Sequence, residues 1–152
     1  MANDLDALEE WAGALLQKLE PAARSKLTRS LAQQLRRSQQ QRVKQQRNPD
    51  GSVYAARKTR DLKGKKGRIK RQAKMFLKLP RASHLKAKGD EQSITVGFTG
   101  RVARIARVHQ RGLKDRAEAN APEVKYEQRE VLGFTEADLE LVQHTLLTQL
   151  KN

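Results

Sequence analysis

The chain contains no cysteine. A disulfide, a thiolate nucleophile and a zinc–cysteine site are therefore excluded. Aromatic residues make up only 4% of the 152 residues. Any core must rest on leucine and valine, and the aromatic platform of an RNA-stacking sheet is missing. No apolar run approaches the roughly 18–20 residues of a membrane-spanning helix. The opening MANDLDALEE is acidic where a signal peptide would be basic and then apolar. A soluble, non-exported chain with no membrane partner is expected.

What the sequence does have is positive charge. The net charge is +15, and it is unevenly placed. Residues 1–20 carry −4, residues 21–90 carry +19, and residues 91–152 sum to zero. Such an excess implies an acidic partner, a nucleic acid, or a place in a larger assembly. The densest run holds Lys63, Lys65, Lys66, Arg68, Lys70, Arg71 and Lys74. It reads equally as a set of phosphate contacts or as a solvated loop that pairs with acids of a neighbouring subunit. GKKGRIK (64–70) lacks the spacing of a nucleotide-binding phosphate loop and has no apolar strand before it.

Hydrophobic periodicity predicts a first helix over about 4–19, with Leu5, Leu8, Ala12, Leu15, Leu16 and Leu19 on one face. Pro21 suits the first position of a second helix. Its stripe runs through Ala23, Leu27, Leu31 and Leu35, then fails, leaving only Val43. The second half is expected to project into solvent or be covered by a partner, ending near Asn48. NPDGS (48–52) is a turn. Residues 49–68 are expected to form a mobile basic loop, followed by a short helix over 69–79 with Ile69, Ala73, Phe76 and Leu77 on one face. The period then changes to two. Residues 84–88 and 94–98 predict an antiparallel hairpin turning at Gly89-Asp90, with Ile94, Val96 and Phe98 inward. Val102, Ile105, Ala106 and His109 share one face of a further helix, capped by Gly112. Val124 to Leu132 reads as a short strand or extended segment. Thr135 and Asp138 form a capping-box variant before a last helix, with Phe134 and Leu139 as a hydrophobic staple. The expected fold is α+β: N-terminal helices and a C-terminal helix on a small antiparallel sheet, with a long basic loop. The expected organisation is a single domain over 1–152, helical in 1–48 and with its α+β core in 69–152.

Little of this looks like catalysis. His109 sits in RVHQRG (107–112) on the apolar side of its helix. His84 and His144 show no ligand spacing with it, so no metal, cofactor or catalytic residue is expected. His109 is read as a structural histidine near a helix end or at an interface.

Four stretches, in order, carry a resemblance: RRSQQQRVKQQRNPDGSVYAARK (36–58), KKGRIKRQAKMF (65–76), VGFTGRVARIARVHQRGL (96–113) and REVLGFTEADL (129–139). Together they resemble the phage virion morphogenesis proteins, the tail-completion family of temperate, contractile-tailed coliphages. The resemblance departs at Glu127, where family members often have proline after the tyrosine. It implies a non-enzymatic protein that acts late in tail assembly, finishing the tail or helping it join the filled head. It implies other tail or neck proteins as partners, and a homo-oligomeric ring in the particle. The protein would be found in the virion and, during assembly, in the host cytoplasm. His109 and Gly112 match the family's central motif, and Arg129, Leu132, Gly133 and Phe134 its C-terminal one. These positions are then architectural. Lys63, Lys65, Lys66, Arg68, Lys70 and Arg71 are the expected interaction residues, including non-specific contact with packaged DNA. The alternative is a small basic nucleic-acid-binding protein that grips phosphates through residues 57–74.

Overall fold

The structure is a computed structural model, and it describes residues 2–57, 74–116 and 118–150. Helix α1 spans Ala2–Leu16. It stops three residues before the expected end, because Lys18 and Leu19 turn back with i→i−3 bonds to Leu15 and Leu16. Glu20 lies extended (φ −59°, ψ 148°), as a residue before proline must. Pro21 then opens α2, which runs to Lys44.

Helix α2 ends four residues early and its second half does not project. Gln39, Arg42 and Val43 are buried and continue the stripe of Leu27, Leu31 and Leu35. Past Leu35 the buried face is simply more polar. The end comes at Gln46, whose φ of 60° is left-handed. There the Gln46 side chain clamps the backbone of Met75. Met75 N donates to Oε1 at 2.7 Å, and Nε2 donates to Met75 O at 2.9 Å. This clamp also explains why the described part of the expected helix over 69–79 is not helical. Residues 74–79 are irregular, Phe76 has φ 62°, and Leu77 is exposed. Ile69 and Ala73 lie outside the described residues.

Strands β1 (Leu85–Gly89) and β2 (Ile94–Phe98) form the expected antiparallel hairpin, with Leu85 opposite Phe98 and Gly89 opposite Ile94. Its turn is Asp90–Ser93 rather than Gly89-Asp90. The Asp90 carboxylate accepts from the amides of Gln92 and Ser93, at 2.8 and 2.7 Å. Gly89 stays in the ladder, pressed on the backbone of Thr28, where a Cβ would overlap Thr28 and Arg29. Glycine is needed here for helix–strand approach, not for turning.

Helix α3 covers Val102–Arg111. Ala106 and Val108 are buried, whereas Ile105, expected on the core side, is 48% exposed. A second hairpin of two two-residue strands, β3 (Lys114–Asp115) and β4 (Val124–Lys125), follows. Helix α4 spans Glu136–Leu150. Its N-terminus is a reciprocal box: Thr135 N donates to Asp138 Oδ2 at 2.9 Å, and Asp138 N to Thr135 Oγ1 at 3.0 Å. The other Asp138 oxygen accepts from Ser38 of α2, so one buried carboxylate both caps α4 and ties it to α2.

Helices at both ends of the chain around small antiparallel pairs make an α+β fold. The core has two parts. Leu8, Leu27, Leu31, Leu35, Val142 and Leu146 form an apolar cluster between α1, α2 and α4, with Ile94 and Val96 against it. Val43, Leu79, Ala106 and Val131 form a smaller one, joined by Phe76, Phe98 and Val102.

Candidate functional site

The second cluster is overlaid by an irregular strap, residues 129–133, whose backbone is held almost entirely by side chains. A segment outside any helix or ladder leaves its amides and carbonyls without regular partners, and burial makes each one costly. Four polar residues answer this. Arg42, on α2, donates from Nη1 to Glu130 O at 2.8 Å and to Arg47 O at 2.9 Å. Its Nη2 donates to Val131 O at 3.1 Å and to Gln39 Oε1 at 2.6 Å. That same Gln39 oxygen accepts from Gly133 N at 3.1 Å. From α3, Gln110 Oε1 accepts from Val131 N and Leu132 N, both at 2.9 Å, while its Nε2 donates to Leu132 O at 2.9 Å. Asn48 Oδ1 accepts from Glu130 N at 2.9 Å.

Two of the expected motif residues anchor the strap's ends. Arg129 donates to Ala55 O at 2.8 Å through Nε and to Ala56 O at 3.0 Å through Nη2. Its own amide donates to His109 O at 2.8 Å. Gly133 lies against Pro49, and any Cβ there would overlap the proline ring. Gly112 closes α3 with φ 63° and ψ 49°, in the left-handed region that favours glycine. A Cβ on Gly112 would stand 3.2 Å from Gln128 N, just before the strap. Phe134, beyond the strap, is 40% exposed, while Leu139 packs on the first cluster.

His109 lies under the strap in an aromatic column. Its ring centroid is 4.7 Å from Phe76 and 5.0 Å from Tyr126, both edge-on, and Tyr54 meets Phe76 at 5.8 Å. Tyr54 is buried and its hydroxyl donates to Glu130 O at 2.9 Å, so the column also reaches the strap. Burial raises the Tyr54 phenol above its ordinary range. Burial also lowers His109 to about 4, helped by the guanidinium charges of Arg129 and Arg57. The imidazole is therefore neutral at pH 7, and Nδ1 has no hydrogen-bond partner among the described residues. Among the described residues no cluster of three or more His, Asp or Glu has the arrangement of a metal site. What surrounds His109 is rings and guanidinium groups, which suit packing rather than proton transfer.

The structure thus brings His109, Gly112, Arg129 and Gly133 to one seat. The expected interaction residues Lys63, Lys65, Lys66, Arg68, Lys70 and Arg71 lie outside the described residues. Sequence reasoning missed Gln39, Arg42, Gln46, Asn48, Tyr54 and Gln110. A signal existed for two of them: Gln39 and Arg42 fall four and seven residues after Leu35, on the buried face.

The strap and the seat beneath it coincide with the stretches that carried the resemblance. The model of the phage virion morphogenesis family matches residues 3–151. The chain belongs to that family. Among the relatives of this phage virion morphogenesis protein is tail completion protein S of Escherichia phage P2. The two are 36% identical over 151 residues, covering 98% of this chain and 99% of the relative. No solved structure matches the chain.

Proposed function

We propose that this protein is a structural component of a phage tail, added to complete the tail and support its joining to the filled head. The observation that carries the reading is the match to a tail completion protein over 98% of this chain and 99% of the relative. The geometry supports it. The polar residues of the seat are consumed in holding backbone, and the half-buried His109 is neutral and packed between rings. A non-enzymatic role follows. Other tail or neck proteins are the partners, a homo-oligomeric ring is the assembled form, and the virion is its location after assembly in the host cytoplasm.

The test is a nonsense mutation in the gene within its phage, complemented from a plasmid. Without the protein, electron micrographs should show filled heads and unattached tails, and infectious particles should fall at least about a hundredfold. Complementation should restore joining. Normal joined particles without the protein would overturn the reading.

A further inference from the structure

Opposite its buried face, α2 carries a second stripe that the packing does not use. Lys26, Arg29, Gln33, Arg36, Arg37 and Lys44 share this outer side. All are exposed except Arg36, which is half-buried and donates from Nε to Gln33 Oε1 at 3.1 Å. The 24-residue helix contains no aspartate or glutamate. Among the described residues none of these cations is ion-paired. At 1.5 Å per residue the stripe from Lys26 to Lys44 is roughly 27 Å long, about eight base pairs of duplex. At the Arg29 end the hairpin tip brings Asp90 and Glu91 alongside, so the positive field is strongest from Arg36 to Lys44.

The composition of the stripe selects its partner. Protein–protein interfaces have an apolar or aromatic centre with charge at the rim. The outer side of α3 and the residue just past its cap have that character, with exposed Ile105 and Leu113 near Arg101, Arg104 and Arg111. The α2 stripe has none: it is arginine, lysine and glutamine from end to end. Those are the side chains that contact phosphate oxygens, where attraction comes from counterion release rather than apolar burial.

We propose that the outer face of α2 is a track for the phosphate backbone of duplex DNA, bound without regard to sequence. This goes beyond the tail-completion reading and does not rest on it.

The test uses the full chain and a labelled 30-base-pair duplex of mixed sequence, titrated at several salt concentrations. One variant is R29Q/R36Q/R37Q/K44Q; the control is K65Q/K66Q/R68Q/K70Q. The α2 variant should bind about tenfold or more weakly at low salt, and its log–log salt slope should flatten by about 2–4. The control should retain a steep slope. The proposal is overturned if the α2 variant matches the wild type, if the control alone abolishes the slope, or if polyglutamate competes as well as duplex. Should the α2 variant fail to fold, lysine acetylation of the wild type decides the matter. Lys26 and Lys44 should react more slowly with DNA present, and unchanged rates would overturn the proposal.

Discussion

The two halves of α2 meet the rest of the chain by different chemistry. From Leu27 to Leu35 the helix buries leucine against Leu8, Val142 and Leu146. From Gln39 to Val43 it buries an amide and a guanidinium against the carbonyls and amides of the 129–133 strap. The apolar half is non-directional, so shape can be traded among similar side chains. The polar half is directional. Both Arg42 Nη atoms and the Gln39 amide oxygen have named partners, and removing one leaves the other short of a bond away from water. One helix therefore joins a tolerant end to an intolerant one.

Substitutions at the two ends test that contrast. Arg42→Met should have the largest effect, about 4 kcal/mol or more, because it strands the carbonyls of Arg47 and Val131, leaves Glu130 O with the Tyr54 hydroxyl alone, and takes one donor from the Gln39 amide oxygen. Arg42→Lys should recover less than half of that, since an ammonium cannot reproduce the planar fork. Denaturant melts that place Arg42→Met close to wild type would break the comparison outright. At the apolar end, Leu31→Ala should cost about 3 kcal/mol by leaving a cavity, and Leu31→Met less than about 1.5 kcal/mol. A conservative swap is thus absorbed at Leu31 and not at Arg42.

Gly112→Val should cost about 1–2 kcal/mol, from the left-handed backbone and the crowding at Gln128. A melting temperature equal to wild type would show that the α3 cap can relax. The smallest effect is the pH dependence of the polar half. His109 titrates at about 4 when folded, below its ordinary 6.5. The unfolded chain therefore takes up this proton first as pH falls. The stability linked to neutral His109 is complete above about pH 6.5 and is lost progressively down to about pH 4. The ring is only partly buried, so the loss should be about 1 kcal/mol once solvent screening is allowed for. His109→Phe keeps an edge-on ring and should melt with a flatter pH profile between 4 and 6.5. Parallel profiles for the two proteins would remove His109 as the cause.

The tolerant end was the legible one. Leucine spacing located α1, the first half of α2 and α4, and alternation located the β1–β2 hairpin with its strand ends nearly right. Period-two and period-3.6 patterns report apolar burial and nothing else. Gln39 and Arg42 keep the spacing of the buried face but are polar, buried for hydrogen bonds to residues 130–133, so an apolar pattern passes over them. The same blindness produced the helix expected over 69–79. Phe76 and Leu77 have helical spacing, yet the Gln46 amide fixes Met75 in an irregular turn. His109 and Gly112 were picked out by helix periodicity and capping as well as by resemblance, Arg129 and Gly133 by resemblance alone. That they share one seat follows only from the tertiary structure.

The strap has a consequence for the order in which the protein folds. Its bonds to Ala56, Arg42 and Gln39 join residues 73, 88 and 94 positions apart in the chain. Closing loops of that length is entropically unfavourable until the receiving surface exists. Hairpin β1–β2 and the first turns of the helices depend on near neighbours and can form early. The strap can lock only after α2, the 48–56 turn and α3 have already come together, so it records that the rest of the fold is in place. A slow final phase in refolding, seen by Trp11-independent probes at residues 129–133 and absent from the β1–β2 hairpin, is the kinetic signature this arrangement predicts.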